Sequence, residues 1–203
     1  MSTSSTTAKM TYRFLGNSGP IVSKFGLGSW MPYYEKYTVD ASVQDRRPLG
    51  VDSPHRGVAG VQHLERNKVD HEYTDLYKEY KLGLTTWSPL AFGTLAWKYS
   101  AGELSESFEE RVVMADQLKP IATELGCTLA QMSLAWAVSN ENVSAVMIGA
   151  SHPSQLEENI KALELVDKIT PGPEVKAKID AIAKFVPKKS EINPIVYIRS
   201  KFL

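Results

Sequence analysis

Two stretches of the sequence place small and polar residues at the ends of predicted strands, where a ligand could be held. The first is TTWSPLAFG, from Thr85 to Gly93. Pro89 lacks a backbone donor and biases Ser88 away from helix, so the strand must end there and expose the Ser88 hydroxyl and nearby amides. The alternative interpretation is a strand-terminating turn with Trp87 in the core.

The second stretch is IGASHPSQLEENI, in which a strand ends at Gly149. Ser151 can cap the following helix, and Pro153 suits its first turn. A helix amino terminus behind a small-residue loop favours an anion such as phosphate, and a solvated surface is the alternative. Three more polar residues are predicted to share one side of this helix: Gln155, Glu158 and Asn159.

Other chemistries find no support in the sequence patterns. The histidines, His55, His63, His71 and His152, lack metal-ligand spacing. GLGSW lacks the third glycine and the following helix of a dinucleotide fingerprint, and no serine nucleophile elbow is present. Cys127, at a helix junction, is interpreted as a small buried residue. No metal site is predicted.

Composition narrows the class of protein further. The 203 residues carry 23 basic and 23 acidic side chains without a Lys/Arg-rich run, which argues against nucleic-acid binding. No apolar run approaches the length of a membrane span, and MSTSSTTAK has no hydrophobic stretch of a secretory signal. A single cysteine suits a reducing compartment. We therefore expect a cytoplasmic protein that is not inserted in a membrane.

Strands and helices are predicted to alternate along most of the chain. A hairpin around GNSGP precedes a strand near Ser23 to Ser29, and LGLTTW and VSAVMIGA read as further strands. Thr128 is a predicted helix cap directly after a stop at Gly126. Apolar residues four, three and four apart predict one helical face: Val69, Tyr73, Leu76 and Tyr80. This alternation indicates βαβ units and a parallel sheet.

The chain is predicted to hold one domain. Residues 1–9 are Ser/Thr-rich and are expected to be disordered, and residues 10–187 form the domain. A seam is expected at about residues 45–57, within the Pro- and Gly-dense DRRPLGVDSPHRG. Residues 188–203 are predicted to be a surface tail.

Five motifs together resemble one known family. YRFLGNSGPIVSKFGLGSW, YKEYKLGLTTWSPLAFG, WKYSAG, LGCTLAQMSLAW and VSAVMIGASHPSQLEENIKAL are similar to aldo-keto reductases, specifically the branch of voltage-gated potassium channel β subunits. The resemblance covers about residues 10–44 and 62–187. It implies an α/β fold of the TIM-type (β/α)8 barrel, with a hairpin closing the bottom and NADP(H) lying across the top.

The resemblance also implies cofactor contacts. The TTWSPLAFG loop would cover the NADP(H) pyrophosphate, and the GASHPSQLEEN loop would hold the end that carries the adenosine 2′-phosphate. The matching positions are Ser29, Trp30, Trp87, Ser88, Pro89, Leu90, Ala91, Phe92, Lys98, Gly149, Ser151, Gln155, Glu158 and Asn159.

The sequence departs from the family in one large respect. A barrel of this type needs about 250 residues, and the alignment leaves a gap between about Gln44 and Val58, where strands two to five should lie. The expected fold is an incomplete barrel, with the N-terminal hairpin and first strand plus the last βα units forming an arc of strands six, seven, eight and one. The family's catalytic Asp, Tyr, Lys and His come from the missing stretch, so no catalytic residue is assigned.

Three functions follow as alternatives. The first is NADP(H)-dependent carbonyl reduction by descent, impaired because the catalytic segment is absent. The second is a non-catalytic NADP(H)-sensing regulatory subunit that binds a potassium channel cytoplasmic domain and forms a homo-oligomer. The third is an inactive fragment from a truncated gene model.

Overall fold

A computed structural model describes residues 9–28, 58–60, 66–96, 106–150, 152–169 and 173–188. The chain begins with the predicted hairpin, in which β1 (Tyr12–Phe14) pairs antiparallel with β2 (Ile21–Ser23). The next strand, β3 (Phe25–Leu27), lies within the predicted first strand but is shorter.

Four strands form a single parallel sheet. β3 is followed along the chain by β4 (Val58–Gly60), β5 (Leu84–Trp87) and β6 (Val143–Ile148), and their order across the sheet is β3-β6-β5-β4. All three pairings are parallel. This order matches the predicted arc of barrel strands one, eight, seven and six, so the prediction of an α/β incomplete barrel is confirmed.

Helices alternate with these strands, as the sequence pattern predicted. A π-helical turn, Lys68–Glu72, precedes α1, and short 3-10 helices span Ala91–Ala96 and Lys161–Leu165. The α-helices are α1 (Thr74–Tyr80), α2 (Glu106–Glu124), α3 (Leu129–Ser139), α4 (Pro153–Ile160), α5 (Val166–Ile169) and α6 (Pro173–Ile182).

Helix α3 is the centre of the core. Every residue from 131 to 138 is buried, because LAQMSLAW is apolar or small on all sides rather than on one stripe. The Thr128 side chain accepts a hydrogen bond from the Gln131 amide, and the Gln131 side chain accepts one from the Thr128 amide. Gly126 ends the preceding helical segment with a φ of 69°, so the predicted stop and cap are both confirmed.

The predicted apolar face of residues 69–80 is only partly correct. Val69 is buried, but Leu76 and Tyr80 are exposed, and Tyr77 is buried in their place. The π-helical turn at Lys68–Glu72 takes more residues per turn than an α-helix, so it rotates the side that meets the core.

The hairpin is held against the sheet by a side chain and by a glycine contact. The Arg13 guanidinium donates hydrogen bonds to the carbonyls of Val138, Asn140 and Val143, at the entry to β6. Gly16 and Gly83 lie backbone to backbone: a Cβ added to Gly83 would overlap the Gly16 amide and Ser144 Oγ. The hairpin is therefore docked at the amino-terminal ends of β5 and β6.

A charged cluster joins the segment before α1 to two helices. The Arg66 guanidinium lies 5.5 Å from the centroid of the Trp136 ring and 5.1 Å from that of Phe185. It pairs with Asp180 at 2.5 Å, and its Nε lies 3.2 Å from Asp70 Oδ2. Burial raises the pKa of Asp70 above its ordinary value, with Arg66 opposing that shift.

The predicted domain limits remain predictions. Residues 1–8, 45–57 and 189–203, which contain the expected disordered start, the seam and almost all of the tail, lie outside the described residues. Within the described parts of the chain, no helix combines the length and apolar character needed to span a bilayer.

Candidate functional site

The carboxyl ends of three neighbouring strands meet at one edge of the sheet. β6 lies between β3 and β5, and because the strands are parallel their following loops emerge on the same side. The Gly28 amide donates to the Ile148 carbonyl at 2.8 Å, which extends the contact between β3 and β6 to the end of both strands. Open α/β sheets and barrels bind ligands at this edge.

The loop after β5 turns sharply into a 3-10 helix. The Ala91 amide donates to the Ser88 carbonyl at 3.0 Å, and the Gly93 amide donates to the Leu90 carbonyl at 2.9 Å. Pro89 and Ala91 are buried, and Trp87 is 43% exposed. The interpretation of Trp87 as a purely core residue is therefore wrong: the tryptophan ends the strand at the surface of the candidate site.

Two residues of this loop have backbone conformations that L-amino acids seldom adopt. Ser88 has a φ of 55° and Ala91 a φ of 51°, both left-handed. Such a conformation costs about 1–3 kcal/mol for a residue other than glycine, and it persists where the surroundings enforce it. Here the enforcing contacts are the two backbone hydrogen bonds and the complete burial of Ala91. Strain of this kind concentrates at ligand sites.

The loop after β6 leads into α4 through His152, at the N-cap position. His152 is extended and its side chain makes no capping hydrogen bond, while Pro153 occupies the first turn as predicted. The Gln155 amide donates a hydrogen bond to the His152 carbonyl at 3.1 Å. Gln155 itself is exposed at this end of α4.

Glu158 is held by contacts within the chain. Gln131 Nε2 donates to the Glu158 backbone carbonyl and to its Oε2, both at 3.0 Å, and the Lys161 ammonium pairs with Oε1. The hydrogen bond and charge of Glu158 raise the pKa of Lys161. The Glu158 carboxylate thus has a fixed position and a neighbouring cation.

The structure brings together some of the predicted site residues. Gln155 and Glu158 are exposed, but Asn159 on the same helix is only 7% exposed, so the three do not share one solvent-facing side. Ser29, Trp30, Lys98 and Ser151 lie outside the described residues. Of Phe92 only the backbone, within the 3-10 helix, is described. Gly149, at the end of β6, is exposed.

Gln131 is the residue that the sequence analysis did not assign to the site. The sequence does contain a pattern that points to Gln131, because Thr128 and Gln131 have the spacing of a capping box. The additional contact to Glu158, 27 positions away, depends on how α3 and α4 pack and could not be seen in the sequence.

A separate cavity of about 550 Å³ lies at the opposite ends of the strands. Its walls include Asn17 of the hairpin, Gly83 before β5 and Asn142 before β6. Because ligands of this fold class bind at the carboxyl ends, its size does not make it the candidate site. Among the described residues, no group of three or more His, Cys, Asp or Glu side chains is arranged to hold a metal ion.

Curated proteins that are similar to this chain include three described as voltage-gated potassium channel β subunits. The chain is 43% identical over 144 residues to a probable voltage-gated potassium channel subunit beta of Oryza sativa subsp. japonica, and 41% identical over 142 residues to one of Arabidopsis thaliana. A putative subunit of Schizosaccharomyces pombe is 36% identical over 142 residues. The alignments cover 62–63% of this chain but only 41–43% of the relatives, so the chain spans less than half of their length.

A solved structure and a family model both relate this chain to aldo-keto reductases. The holo form of an aldo-keto reductase from Bacillus halodurans superposes with a TM-score of 0.52 at 21% identity, covering 65% of this chain and 42% of that one. The aldo/keto reductase family model matches residues 58–182, which include β4, β5, β6 and both candidate loops. The chain belongs to the aldo/keto reductase family.

Proposed function

We propose that this chain binds the adenosine and pyrophosphate portion of NADP(H) at the carboxyl ends of β3, β6 and β5. On this proposal, NADP(H)-dependent carbonyl reduction is the ancestral activity, and it is impaired here because no catalytic Asp, Tyr, Lys and His set can be assigned to the chain. The observation that carries the proposal is the pair of left-handed residues, Ser88 and Ala91, in a loop next to the loop after β6.

The chemistry of the two loops suits the two ends of such a ligand. The tightly turned loop after β5 lets backbone approach a pyrophosphate closely, and the amino end of α4, with its positive helix-dipole end, favours a phosphate. A carboxylate repels phosphate, so Glu158 suits the exocyclic amine of adenine, which donates hydrogen bonds. Gln155 lies nearer the amino end of α4 and suits the 2′-phosphate.

NADPH fluorescence titration tests this proposal directly. We expect saturable binding that weakens about tenfold in Gln155→Ala, with a smaller preference for NADPH over NADH, since a phosphate contact is lost. Glu157→Ala is the matched control, because Glu157 is exposed on the same helix but is not assigned to the site. Absence of saturable binding by the folded protein would refute the proposal.

Catalysis is tested separately from binding. We expect no aldehyde-dependent oxidation of NADPH by the folded chain, because a positioned proton donor and its partners are needed for hydride transfer to a carbonyl. Turnover at a rate typical of enzymes would show that the chain supplies catalytic groups from residues not assigned here.

A second candidate function is regulation of a potassium channel from the cytoplasm. The observation that favours it is the identity of 41–43% to plant proteins described as channel β subunits. Co-purification of the chain with a potassium channel cytoplasmic domain, with and without NADPH, tests it. A regulator that senses the cofactor should bind with an affinity that depends on NADPH.

A further inference from the structure

Gln131, on α3, connects the start of that helix to α4. Its Oε1 accepts a hydrogen bond from the Thr128 amide at 3.0 Å. Its Nε2 donates to the Glu158 backbone carbonyl and to Glu158 Oε2, both at 3.0 Å. Both hydrogens of the side-chain amide therefore have acceptors, and its oxygen has a donor. Gln131 is only 7% exposed, so water has little access to these bonds.

These partners fix which way the Gln131 side-chain amide points. A flip of the amide would turn Nε2 toward the Thr128 N–H and Oε1 toward the Glu158 oxygens. Donor would then face donor, and acceptor would face acceptor. Hydrogen bonds that a buried amide fails to make are costly, so the observed orientation is the stable one. Helix α3 thus presents a fixed donor to the Glu158 carboxylate.

The Glu158 carboxylate is held from two sides. Gln131 Nε2 lies at one oxygen, and the Lys161 ammonium pairs with the other. The Lys161 contact restrains the carboxylate weakly, because the side chains of Lys161 and Glu158 are each 53% exposed and exposed ion pairs hold little geometry. The contact to the buried Gln131 is the rigid one. Each carboxylate oxygen can accept a further hydrogen bond from a ligand.

We propose that Gln131 is a positioning residue for base recognition: it holds the Glu158 carboxylate so that the site accepts the exocyclic amine of adenine and rejects a base with an oxygen at that place. This inference rests on the proposed binding of NADP(H) at α4 and the loop after β6. An ionised carboxylate is only an acceptor, so it bonds an amine and repels a carbonyl oxygen. A carboxylate free to rotate away from the base would lose that discrimination.

Fluorescence titration with NADPH and with reduced nicotinamide hypoxanthine dinucleotide phosphate measures this selection, since hypoxanthine has an oxygen where adenine has the amine. We expect the unmodified chain to bind NADPH about tenfold more tightly, as one hydrogen bond to a charged group provides. A folded chain that binds neither probe would refute the proposed function together with this inference. Equal binding of the two would overturn this inference alone, because both probes carry the same phosphates.

Gln131→Glu separates the two roles of this side chain. It keeps an oxygen for the Thr128 amide but replaces the donor to Glu158 with a like charge, so the preference for NADPH should fall below about threefold. Thr128→Ala is the matched control. It removes the hydroxyl of the cap and lowers stability, but it leaves the Thr128 amide and both contacts to Glu158, so the full preference should remain.

Gln131→Met covers the case in which a buried charge unfolds the chain. Methionine has a similar length but no amide, so we expect the same loss of preference in a protein that urea denaturation shows to be folded. A folded Gln131 variant that retains the preference of the unmodified chain would overturn the proposal. A loss of equal size in Thr128→Ala would do so too, because the stability of α3, rather than the donor to Glu158, would then control the choice of base.

Discussion

Ser88, in the loop proposed to bind the cofactor, has a left-handed backbone conformation that is energetically unfavourable for serine. Its φ of 55° is costly for serine, and the Ala91 amide bonded to its carbonyl holds it there. Neither side chain nor spacing predicts such a conformation, because the left-handed turn is imposed by the burial of Pro89 and Ala91 rather than by local propensity. The sequence did identify the strand end at this place from Pro89.

Replacement of Ser88 separates backbone strain from ligand binding. In Ser88→Gly we expect the free energy of unfolding to change by less than about 1 kcal/mol, since relief of strain offsets the flexibility of glycine in the unfolded chain. Ser88→Val should lose about 2 kcal/mol, because a β-branched residue resists φ > 0. Urea denaturation measures both. Equal losses in the two variants would contradict the strain argument, and weaker NADPH binding by Ser88→Gly would assign a role to the hydroxyl.

Asp70 gives the stability a pH dependence of definite sign. Its pKa is raised by burial in the folded state, so between the unfolded value of about 3.9 and the folded value the native state binds more protons. The contribution of Asp70 to stability therefore falls as pH rises through that window, and it stays low above the folded pKa.

Comparison with Asp70→Asn over pH 3 to 7 checks this sign. We expect the unfolding free energy of the unmodified chain, minus that of the variant, to decrease as pH rises from about 3.9. Asp116→Asn, which alters a more exposed carboxylate on α2, is the control. A difference that increases with pH would mean that the Arg66 ion pair outweighs burial.

At the scale of single elements, the turn between α2 and α3 is fully specified by local sequence. Thr128→Ala removes the acceptor for the Gln131 amide and should lower the free energy of unfolding by about 1 kcal/mol. Thr128→Ser keeps the acceptor and should lose less than half of that. Thermal or urea unfolding distinguishes them, and equal losses would indicate that the methyl group rather than the cap stabilises the helix.

Most strands were predicted correctly from the sequence, whereas the buried faces of two helical segments were not. The hairpin, the three strands around GLGSW, TTWSP and VMIGA, and the order of the arc were all predicted, because turn residues, buried apolar runs and the family resemblance agreed. The buried face of residues 69–80 was not predicted correctly, since the π-helical turn at Lys68–Glu72 depends on tertiary packing rather than on local sequence. Asn159 was expected beside Gln155, but its burial depends on the neighbours of α4, which periodicity alone does not reveal.

For the whole molecule, the contact between Gly16 and Gly83 controls how closely the hairpin approaches the sheet. Gly83→Ala would force a Cβ into the Gly16 backbone, and a shift of the hairpin to relieve the overlap would stretch the hydrogen bond of 2.9 Å from the Asn17 amide to the Lys81 carbonyl. We expect a loss of about 2–3 kcal/mol, typical of overpacking. Gly19→Ala is the matched control in the same hairpin: it has open space and should lose only about 1 kcal/mol from its φ of 92°.

Urea denaturation of the two glycine variants provides the measurement. A Gly83→Ala protein as stable as the Gly19→Ala protein would show that the hairpin can shift away from the sheet at little cost. The exposed side chains of the hairpin, Tyr12, Phe14 and Ile21, would then not be held in a fixed position relative to β6.

The hydrogen bonds of Arg13 to the start of β6 also affect the order in which contacts can form during translation. Its bond to the Asn140 carbonyl joins residues 127 positions apart, and β3 pairs with β6 across a similar separation. At ribosomal synthesis rates of roughly 5–20 residues per second, the hairpin and β3 must wait on the order of ten seconds before their partners emerge. During that interval the Arg13 side of the hairpin and the β6-facing side of β3 lack the partners that cover them in the folded chain.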